Sequence, residues 1–439
     1  MELPYGLNRR YASLAVFLLG AIWLWVAFDR PYVFPDHVPW NIYSNGPQSP
    51  NIDVFDFPPL TSPAIKTVCA KMAWNSDLIF TCDSPSGSFA EVRNSILHCV
   101  RYAIAAGGSL VLPRIVLNQD YGGRLAGNTT SLDHLFDTDH FTTSLQLSCP
   151  QLRIYKTAPD TMDEDNKKEP IALLADTLVS PRAGAFQDFP MEWREAFYNW
   201  LKNHLSGDFK GPRIIALGRS YLHYPIHSDD ENFATHFGKI LKIRSDARVL
   251  ATTALLKLSS EYSLALDLKD QDPYSKMGLM GVYLSTKPDP DQLTKEDQDY
   301  GSYETQSKLY LEYAAQSNAS LTYVASNNGP DILKYISVAR ERGDEVTAKF
   351  DILKGRDRED LQDMTAQQQE MVDYLVMTDT VEFVGVGSSS FSWNVALRRH
   401  GFARVTGVPL GQGQQYNDGL SVIYGATGWH HEFATSMWP

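Results

Sequence analysis

Cysteine is scarce in this chain, and basic residues are outnumbered by acidic ones. Four cysteines in 439 residues exclude a disulfide-dense scaffold, and none of them forms the CxxC pair typical of structural zinc sites. The balance of 39 basic against 52 acidic residues gives a net charge of -13. We expect no nucleic-acid partner, because such affinity depends on neutralising phosphates with a basic surface. With 43% hydrophobic and 21% charged residues, the composition excludes a disordered or collagen-like chain.

Long apolar runs are also missing, with one exception near the amino terminus. Residues 11–28 carry no charge and, as a helix, would span about 27 Å, close to the ~30 Å hydrocarbon core of a bilayer. Arg9 and Arg10 precede this run, whereas Arg30 is the only lysine or arginine in roughly the next thirty residues. This bias predicts a transmembrane signal anchor behind a cytoplasmic tail at 1–10. A cleaved signal peptide and a buried core helix are the alternatives.

Proline is concentrated just beyond the apolar run. Residues 29–64 hold eight prolines, a density that favours extended chain and predicts a stem that holds a head away from the membrane. The aromatic residues of this stem suggest that part of it packs on the head. We therefore expect a single-pass type II membrane protein of the Golgi or endoplasmic reticulum, with its head in the lumen.

The four cysteines lie in the first third of the chain, inside the predicted head. In an oxidising lumen such residues can pair, and we expect two disulfides, with four buried free thiols as the alternative. The candidates are Cys69, Cys82, Cys99 and Cys149. Sequons begin at Asn128 and Asn318, which makes both side chains candidate glycosylation sites.

After residue 65, apolar strand-like runs alternate with amphipathic helical patterns, which predicts an α/β fold. The clearest helix is 90–106, because its apolar residues share one face and two glycines end it. The other predicted helices are 237–258 and 303–317, and the predicted strands are 109–112, 213–217, 279–284, 321–325 and 381–386. A break near 250–275 predicts an amino-terminal domain at 65–260 and a carboxyl-terminal domain at 261–439.

Two loop-to-helix junctions have patterns typical of anion sites. At the first, Gly87 and Ser88 lead into the 90–106 helix, where backbone can approach a phosphate and the helix offers unpaired N–H groups. At the second, the 381–386 strand runs through Gly387 and several serines into a helix, a pattern typical of a diphosphate cradle. The second junction has neither a P-loop nor a GxSxG nucleophile elbow. Plain helix capping is the alternative interpretation of both.

Acidic and histidine motifs give weak metal signals. Asp137 and Asp139 form an Asp-Thr-Asp triplet, the form found in metal-dependent glycosyltransferases. Such triplets arise by chance in a chain this rich in aspartate, so a structural loop is the favoured interpretation. His430, His431 and Glu432 lack HExxH spacing, and we predict no metal site.

In their order along the chain, these segments resemble the GDP-fucose protein O-fucosyltransferase superfamily, most closely its type II membrane members in filamentous fungi. The segments are GSFAEVR, SLVLPRI, FDTDHF, FGKILKIRSDARVLA, YVAS, VDYLV and VGVGSSSFSWNVALRR. The resemblance extends from about residue 80 to 438 and implies a GT-B-like pair of Rossmann-type domains facing a cleft. It also implies metal-independent, inverting transfer of fucose from GDP-fucose to a hydroxyl group, with the GDP-sugar as co-substrate and no further cofactor.

The resemblance also implies roles for residues at the two junctions. Gly87 and Arg93 match the family's glycine turn, where we expect them to contact the nucleotide sugar. Ser389, Ser390 and Phe391 match the loop that holds the diphosphate. The leaving group would then be stabilised by helix N–H groups and an arginine.

Further roles follow from the same resemblance. Asp373 matches an acid near the nucleotide, and Glu91 is the candidate base that accepts the proton of the attacking hydroxyl. Tyr283, Leu284 and Ser285 stand where many members carry His-Leu-Arg, which places Ser285 at the donor diphosphate. The acceptor is a protein, glycan or metabolite hydroxyl. The alternative function is a catalytically silent binding or scaffold protein that keeps the fold without the family arginine.

Overall fold

The structure is a computed structural model. It describes residues 52–82, 87–117, 128–157, 170–180, 188–204, 211–265, 278–286, 299–403, 408–426 and 431–439. These residues belong to one compact unit, Ile52–Pro439. The predicted tail, the 11–28 anchor and the stem as far as residue 51 lie outside them, as does His430. Within the described ranges, no helix combines the length and apolar character that crossing a membrane requires.

The first half of the unit contains a parallel sheet. The strands of this half are β1 (Leu78–Cys82), β2 (Ser109–Val111), β3 (Ile115–Val116), β4 (Thr129–Thr130), β5 (Ile154–Tyr155), β6 (Ile171–Leu173) and β7 (Arg213–Leu217). Of these, β3 and β4 form a separate short antiparallel ribbon, and the other five form the parallel sheet. The parallel strands lie in the order β5-β2-β1-β7-β6. The helices of this half are α1 (Pro63–Lys71), α2 (Phe89–Ala106), α3 (Thr138–Ser148), α4 (Phe189–His204), α5 (Glu231–Phe237) and α6 (Ser245–Tyr262).

The second half contains a larger, mostly parallel sheet. Its strands are β8 (Leu279–Leu284), β9 (Leu321–Ser326), β10 (Val346–Thr347), β11 (Glu382–Val386), β12 (Gln414–Asn417) and β13 (Ser421–Tyr424). They lie in the order β10-β9-β8-β11-β13-β12, and only the β12–β13 pairing is antiparallel. Its helices are α7 (Tyr303–Ala314), α8 (Gly329–Glu341), α9 (Lys349–Ile352), α10 (Arg356–Gln362), α11 (Ala366–Thr378), α12 (Ser390–His400) and α13 (His431–Ser436).

Both sheets reverse their strand order once. In the first sheet the chain passes from β1 outward to β2 and β5, and then fills the opposite side with β6 and β7. In the second sheet β9 and β10 lie on one side of β8, and β11 lies on the other. The switch points are therefore β1/β7 and β8/β11. Open parallel sheets bind ligands at the carboxyl ends of the strands that flank such a point.

The α/β prediction is confirmed by these two sheets, and the clearest predicted helix is α2. A reciprocal pair of bonds between Ser88 and Glu91 begins this helix, and Gly107 ends it at a φ of 74°, which glycine adopts without strain. Almost every residue of α2 is buried, so the helix lies inside the unit. The GT-B arrangement around a cleft and the domain boundary near 250–275 stay predictions.

The predicted helix 237–258 is wrong in its first third. Gly238–Ile240 forms one turn of 3₁₀ helix, and α6 begins only at Ser245. The intervening backbone is extended because it bonds to a distant segment: Asp137 N–H donates to the Lys242 carbonyl at 2.8 Å. Arg244 N–H donates in turn to the Leu135 carbonyl at 3.1 Å. These tertiary bonds prevail over a helical pattern.

The last part of the predicted stem packs on the fold. Val54 N–H donates to Thr252 Oγ1 on α6 at 3.1 Å. Leu60 N–H donates to Ser144 Oγ on α3 at 2.9 Å, and Ser62 begins α1. The described part of the stem, from residue 52 onward, is therefore part of the unit.

Candidate functional site

The polar residues of the candidate site follow the strands that flank the two switch points. In the first sheet, Gly87 follows β1 after a short undescribed segment, and Arg219 follows β7. In the second sheet, Ser285 follows β8, and Gly387 opens the serine-rich junction after β11. Because parallel strands end at the same edge of a sheet, each pair of residues lies at one carboxyl edge.

A direct contact joins the two junctions. Ser88 and Ser390, which begin α2 and α12, have their Oγ atoms 3.1 Å apart. Gln367 on α11 also donates to the Gly87 carbonyl. The two loop-to-helix junctions, 302 residues apart in the chain, therefore form one site.

The junction before α12 has backbone N–H groups that the helix itself does not use. Ser389 Oγ accepts Ser392 N–H at 3.1 Å, while the first turn of a helix leaves N–H groups such as those of Ser390 and Phe391 without intrahelical acceptors. Ser388 Oγ is buried and has no hydrogen-bond partner among the described residues. The Gln415 side chain lies against Gly387, so that a Cβ at this position would displace the Gln415 amide group. This junction has the donors that an anionic group requires.

The junction before α2 is instead filled by the chain's own carboxylates. Glu91 accepts Ser88 N–H at 3.4 Å, and Glu370 on α11 accepts Phe89 N–H at 2.9 Å. Gly87 has a φ of 113°, and a Cβ at this position would overlap the Glu91 carboxylate. The sequence predicted a phosphate contact at Gly87, and the structure places acids there because the helix amino terminus favours any nearby negative charge.

Glu91 connects the two sides of the site. Its Oε2 lies 2.8 Å from Arg219 Nη2, and its Oε1 lies 3.5 Å from Ser390 Oγ. The side chain is 22% exposed, so it can receive a proton from a bound group. Arg219 rests on the ring of Tyr221, with its Cζ 4.2 Å from the ring centroid. Sequence reasoning missed Arg219, although its position just after the predicted strand 213–217 was the signal that marks it.

Glu370 is a second carboxyl group that sequence reasoning missed. Its Oε1 accepts the Tyr283 hydroxyl at 3.3 Å, and the Tyr283 ring stacks on Phe391 at 3.9 Å between centroids. Burial raises the pKa of Glu370 to about 7, and the nearby charge of Glu91 adds to the rise, against the bonds from Phe89 and Tyr283. The stacked rings of Phe391 and Tyr283 thus lie at the first turn of α12.

The raised pKa of Glu370 predicts a pH-dependent stability. Below its ordinary pKa of 4.5, Glu370 is protonated in both the folded and the unfolded protein. Between pH 4.5 and about 7 it ionises in the unfolded protein but stays mostly protonated in the folded protein. Raising the pH through this window should therefore remove roughly 3 kcal/mol from the free energy of unfolding. Urea unfolding of the wild type and of Glu370→Gln at pH 4 to 8 measures this, and the variant should lack this fall. An equal slope in both proteins would contradict the prediction.

Arg93 does not reach the site. Its buried guanidinium, 1% exposed, donates to the carbonyl oxygens of Trp438 at 2.6 Å, Pro439 at 2.8 Å and Gly238 at 3.0 Å. Burial lowers its pKa to about 10. These contacts give Arg93 a structural role, and its expected contact with a diphosphate stays a prediction.

Asp373 is likewise buried in an internal network. One oxygen pairs with Lys349 Nζ, and the other accepts the Tyr323 hydroxyl at 2.8 Å. Its expected place near the nucleotide stays a prediction. Ser285 does end β8 at the switch point, but its backbone N–H and carbonyl are both bound by Gln306 at 2.9 Å.

The remaining predicted residues lie elsewhere. The Asp137 carboxylate begins α3 and accepts His140 N–H at 2.9 Å, as a helix cap does, and Asp139 lies in the first turn. In the described part of the chain, no cluster of histidine, cysteine and acidic residues is placed to hold a metal ion. Asn128 and Asn318 are both exposed.

Disulfides join the cysteines in two pairs. Cys69 on α1 bonds to Cys149 at the end of α3. Cys82 at the end of β1 bonds to Cys99 on α2, and this second bond closes the loop that carries Gly87.

Comparisons with known proteins find likeness only among solved structures. No protein-family profile matches the chain, and no curated protein sequence matches it. POFUT1 in complex with GDP-fucose is 14% identical over 81% of this chain and 100% of that chain, with a TM-score of 0.45. Fucosyltransferase NodZ from Bradyrhizobium is 10% identical over 74% and 92%, with a TM-score of 0.36. A mutant of Arabidopsis thaliana FUT1 in complex with GDP is 14% identical over 76% and 71%, with a TM-score of 0.36.

Proposed function

We propose that this protein is a glycosyltransferase that uses a nucleoside diphosphate sugar. The observation that carries the proposal is the 3.1 Å contact between Ser88 and Ser390, which brings the open amino terminus of α12 next to the Glu91 carboxylate. An anion-binding helix terminus beside a partly exposed acid supplies the two functions that glycosyl transfer needs: stabilisation of a leaving phosphate and removal of a proton.

The reaction follows from this placement. The donor diphosphate binds the N–H groups at Ser390 and Phe391, and its sugar faces Glu91. An acceptor hydroxyl attacks the anomeric carbon from the opposite face, the bond between that carbon and the phosphate oxygen breaks, and its electron pair leaves with the nucleotide. The hydroxyl proton passes to Glu91, and the configuration at the anomeric carbon inverts. The donors at α12 stabilise the leaving charge, and a well-placed donor of this kind accelerates such reactions by ~10²–10³-fold.

The donor, compartment and acceptor class belong to the same proposal. The segment order described above supports GDP-fucose as donor and metal-independent transfer. The 11–28 run behind Arg9 and Arg10 supports a type II anchor that places the head in the lumen of the Golgi or endoplasmic reticulum. The acceptor is a hydroxyl group of a protein, a glycan or a metabolite.

One observation favours a second candidate, a silent binding or scaffold protein. At the end of β8 the Tyr283 hydroxyl donates to Glu370, and the Ser285 backbone is held by Gln306. Neither side chain supplies a positive charge at the second switch point. A protein of this kind would bind a partner or a nucleotide sugar without transferring sugar.

The test is thermal unfolding of the full chain in detergent with GDP, GDP-fucose, GDP-mannose or UDP-glucose, each with and without manganese. A ligand at 100 times its dissociation constant should add about 2.7 kcal/mol to the free energy of unfolding. Stabilisation by GDP-sugars that is independent of manganese supports the proposal, and release of GDP from GDP-fucose distinguishes the enzyme from the silent protein. No stabilisation by any nucleotide would overturn the proposal.

A further inference from the structure

Arg219 is a cation at the first switch point with part of its guanidinium unused. Nη2 donates to Glu91 Oε2 at 2.8 Å, and the Tyr221 ring supports the guanidinium plane from one side. Nε is buried and has no hydrogen-bond partner among the residues that the structure describes. A buried unsatisfied donor on a side chain that is 29% exposed indicates that a further acceptor belongs here.

A sugar diphosphate at α12 would bring that acceptor. Its phosphates need positive charge, and Arg93 and Lys349 are both committed to buried partners. The fork of an arginine fits phosphate oxygens in pairs, which a lysine does not reproduce. The Glu91 carboxylate links Arg219 to the α12 junction, because it contacts both Arg219 and Ser390.

The same geometry puts Glu91 in conflict with the donor. Glu91 Oε1 lies 3.5 Å from Ser390 Oγ, so a diphosphate bound at Ser390 lies close to the Glu91 carboxylate. The negative charges of the two groups then repel each other. Arg219, which pairs with Glu91, can reduce this repulsion by turning toward the phosphate. The Glu91 carboxylate then loses the charge of Arg219 while the phosphate charge lies nearby, and both changes favour a proton on Glu91.

We propose that Arg219 exchanges Glu91 for the donor diphosphate when the nucleotide sugar binds, and that after this exchange Glu91 acts as the base for the acceptor hydroxyl. The inference rests on the proposed function. Donor binding then precedes proton removal, because Glu91 is neutralised by Arg219 until the phosphates arrive. Arg219 is a donor-binding residue in this scheme, and Glu91 competes with the donor for it.

Two single variants of the full chain test this exchange, because they should change GDP affinity in opposite directions. Arg219→Gln should weaken GDP binding at least 10-fold, whereas Glu91→Gln should strengthen it about 3-fold by removing the competing charge. Arg219→Lys should fall between the wild type and Arg219→Gln. Isothermal titration with GDP at pH 7 measures all of these affinities.

The matched control is Arg342→Gln, which removes an arginine from a similar ion pair, with Asp344, just before the amino end of β10. It should leave GDP affinity unchanged. If Arg219→Gln stays within 2-fold of the wild type, or if Glu91→Gln weakens binding, the exchange is wrong while the proposed function stands. If the wild type binds neither GDP nor any GDP-sugar, the proposed function itself fails. Glu91→Gln keeps the exchange testable should Arg219→Gln not fold.

Discussion

Replacing Arg93 with methionine should lower the free energy of unfolding by about 3–5 kcal/mol. Methionine fills much of the space of the arginine stem but donates no hydrogen bonds. The carbonyl oxygens of Gly238, Trp438 and Pro439 would then lose their guanidinium donor. The Trp438 carbonyl keeps Asn394 as a donor. Each acceptor left unsatisfied costs about 1–3 kcal/mol, and the two at Gly238 and Pro439 make this one of the largest single-residue effects expected in the chain. Urea unfolding followed by circular dichroism measures the difference.

The control is Arg356→Met on α10, where the arginine side chain is 83% exposed, and it should change stability by no more than about 0.5 kcal/mol. The same experiment decides between the two roles considered for Arg93. A diphosphate-binding Arg93 would give a stable Arg93→Met protein that no longer binds GDP. A structural Arg93 gives an unstable protein whose folded fraction still binds it.

Arg93 also matters to the site through the residues it holds. Asn94 on α2 binds the Trp438 backbone at 2.9 Å, and Asn394 on α12 donates to the Trp438 carbonyl at 2.8 Å. Residues 436–439 therefore tie α2 to α12 behind the contact between Ser88 and Ser390. Loss of Arg93 should loosen the helices whose amino termini form the site.

Much of the fold was predictable because its signals are local. The 90–106 helix lies within α2 because its capping serine, apolar face and terminating glycines are neighbours in sequence. The predicted strands 213–217 and 279–284 have the bounds of β7 and β8. The helix predicted over 237–258 differs because its first residues bond to backbone about 100 residues earlier, which no local pattern reveals.

The candidate site divides in the same way. Its two junctions were visible as glycine- and serine-containing turns before helices, because that pattern is local. The side chains that contact these junctions from elsewhere in the chain could not be predicted. Glu370 is 281 residues from its partner Phe89 on α2, and Arg219 is 128 residues from Glu91. Arg93 and Asp373 were assigned by resemblance, and burial, which a single sequence does not show, gave them other partners.

The cysteines were predicted to pair, but their pairing followed only from the structure, and it predicts unequal effects. Removing the Cys69–Cys149 disulfide with Cys69→Ala and Cys149→Ala should lower the free energy of unfolding by about 4.5 kcal/mol, because the bond joins residues 80 apart. The Cys82–Cys99 bond joins residues 17 apart, and its removal should cost about 3 kcal/mol. Urea unfolding of both double variants, without reductant, measures which disulfide contributes more to the free energy of unfolding.

The second double variant is the control for the first, since each replaces two cysteines by the same residue, three of the four being buried and Cys82 half-buried. A larger loss from the short loop would contradict the loop-entropy argument and would mean that the Cys82–Cys99 bond acts on the folded state, where it closes the segment carrying Gly87. No loss from either pair would remove the energetic reason for an oxidising compartment. A loss in the expected order makes folding of this unit depend on disulfides, which form in the lumen proposed for it and not in the cytosol.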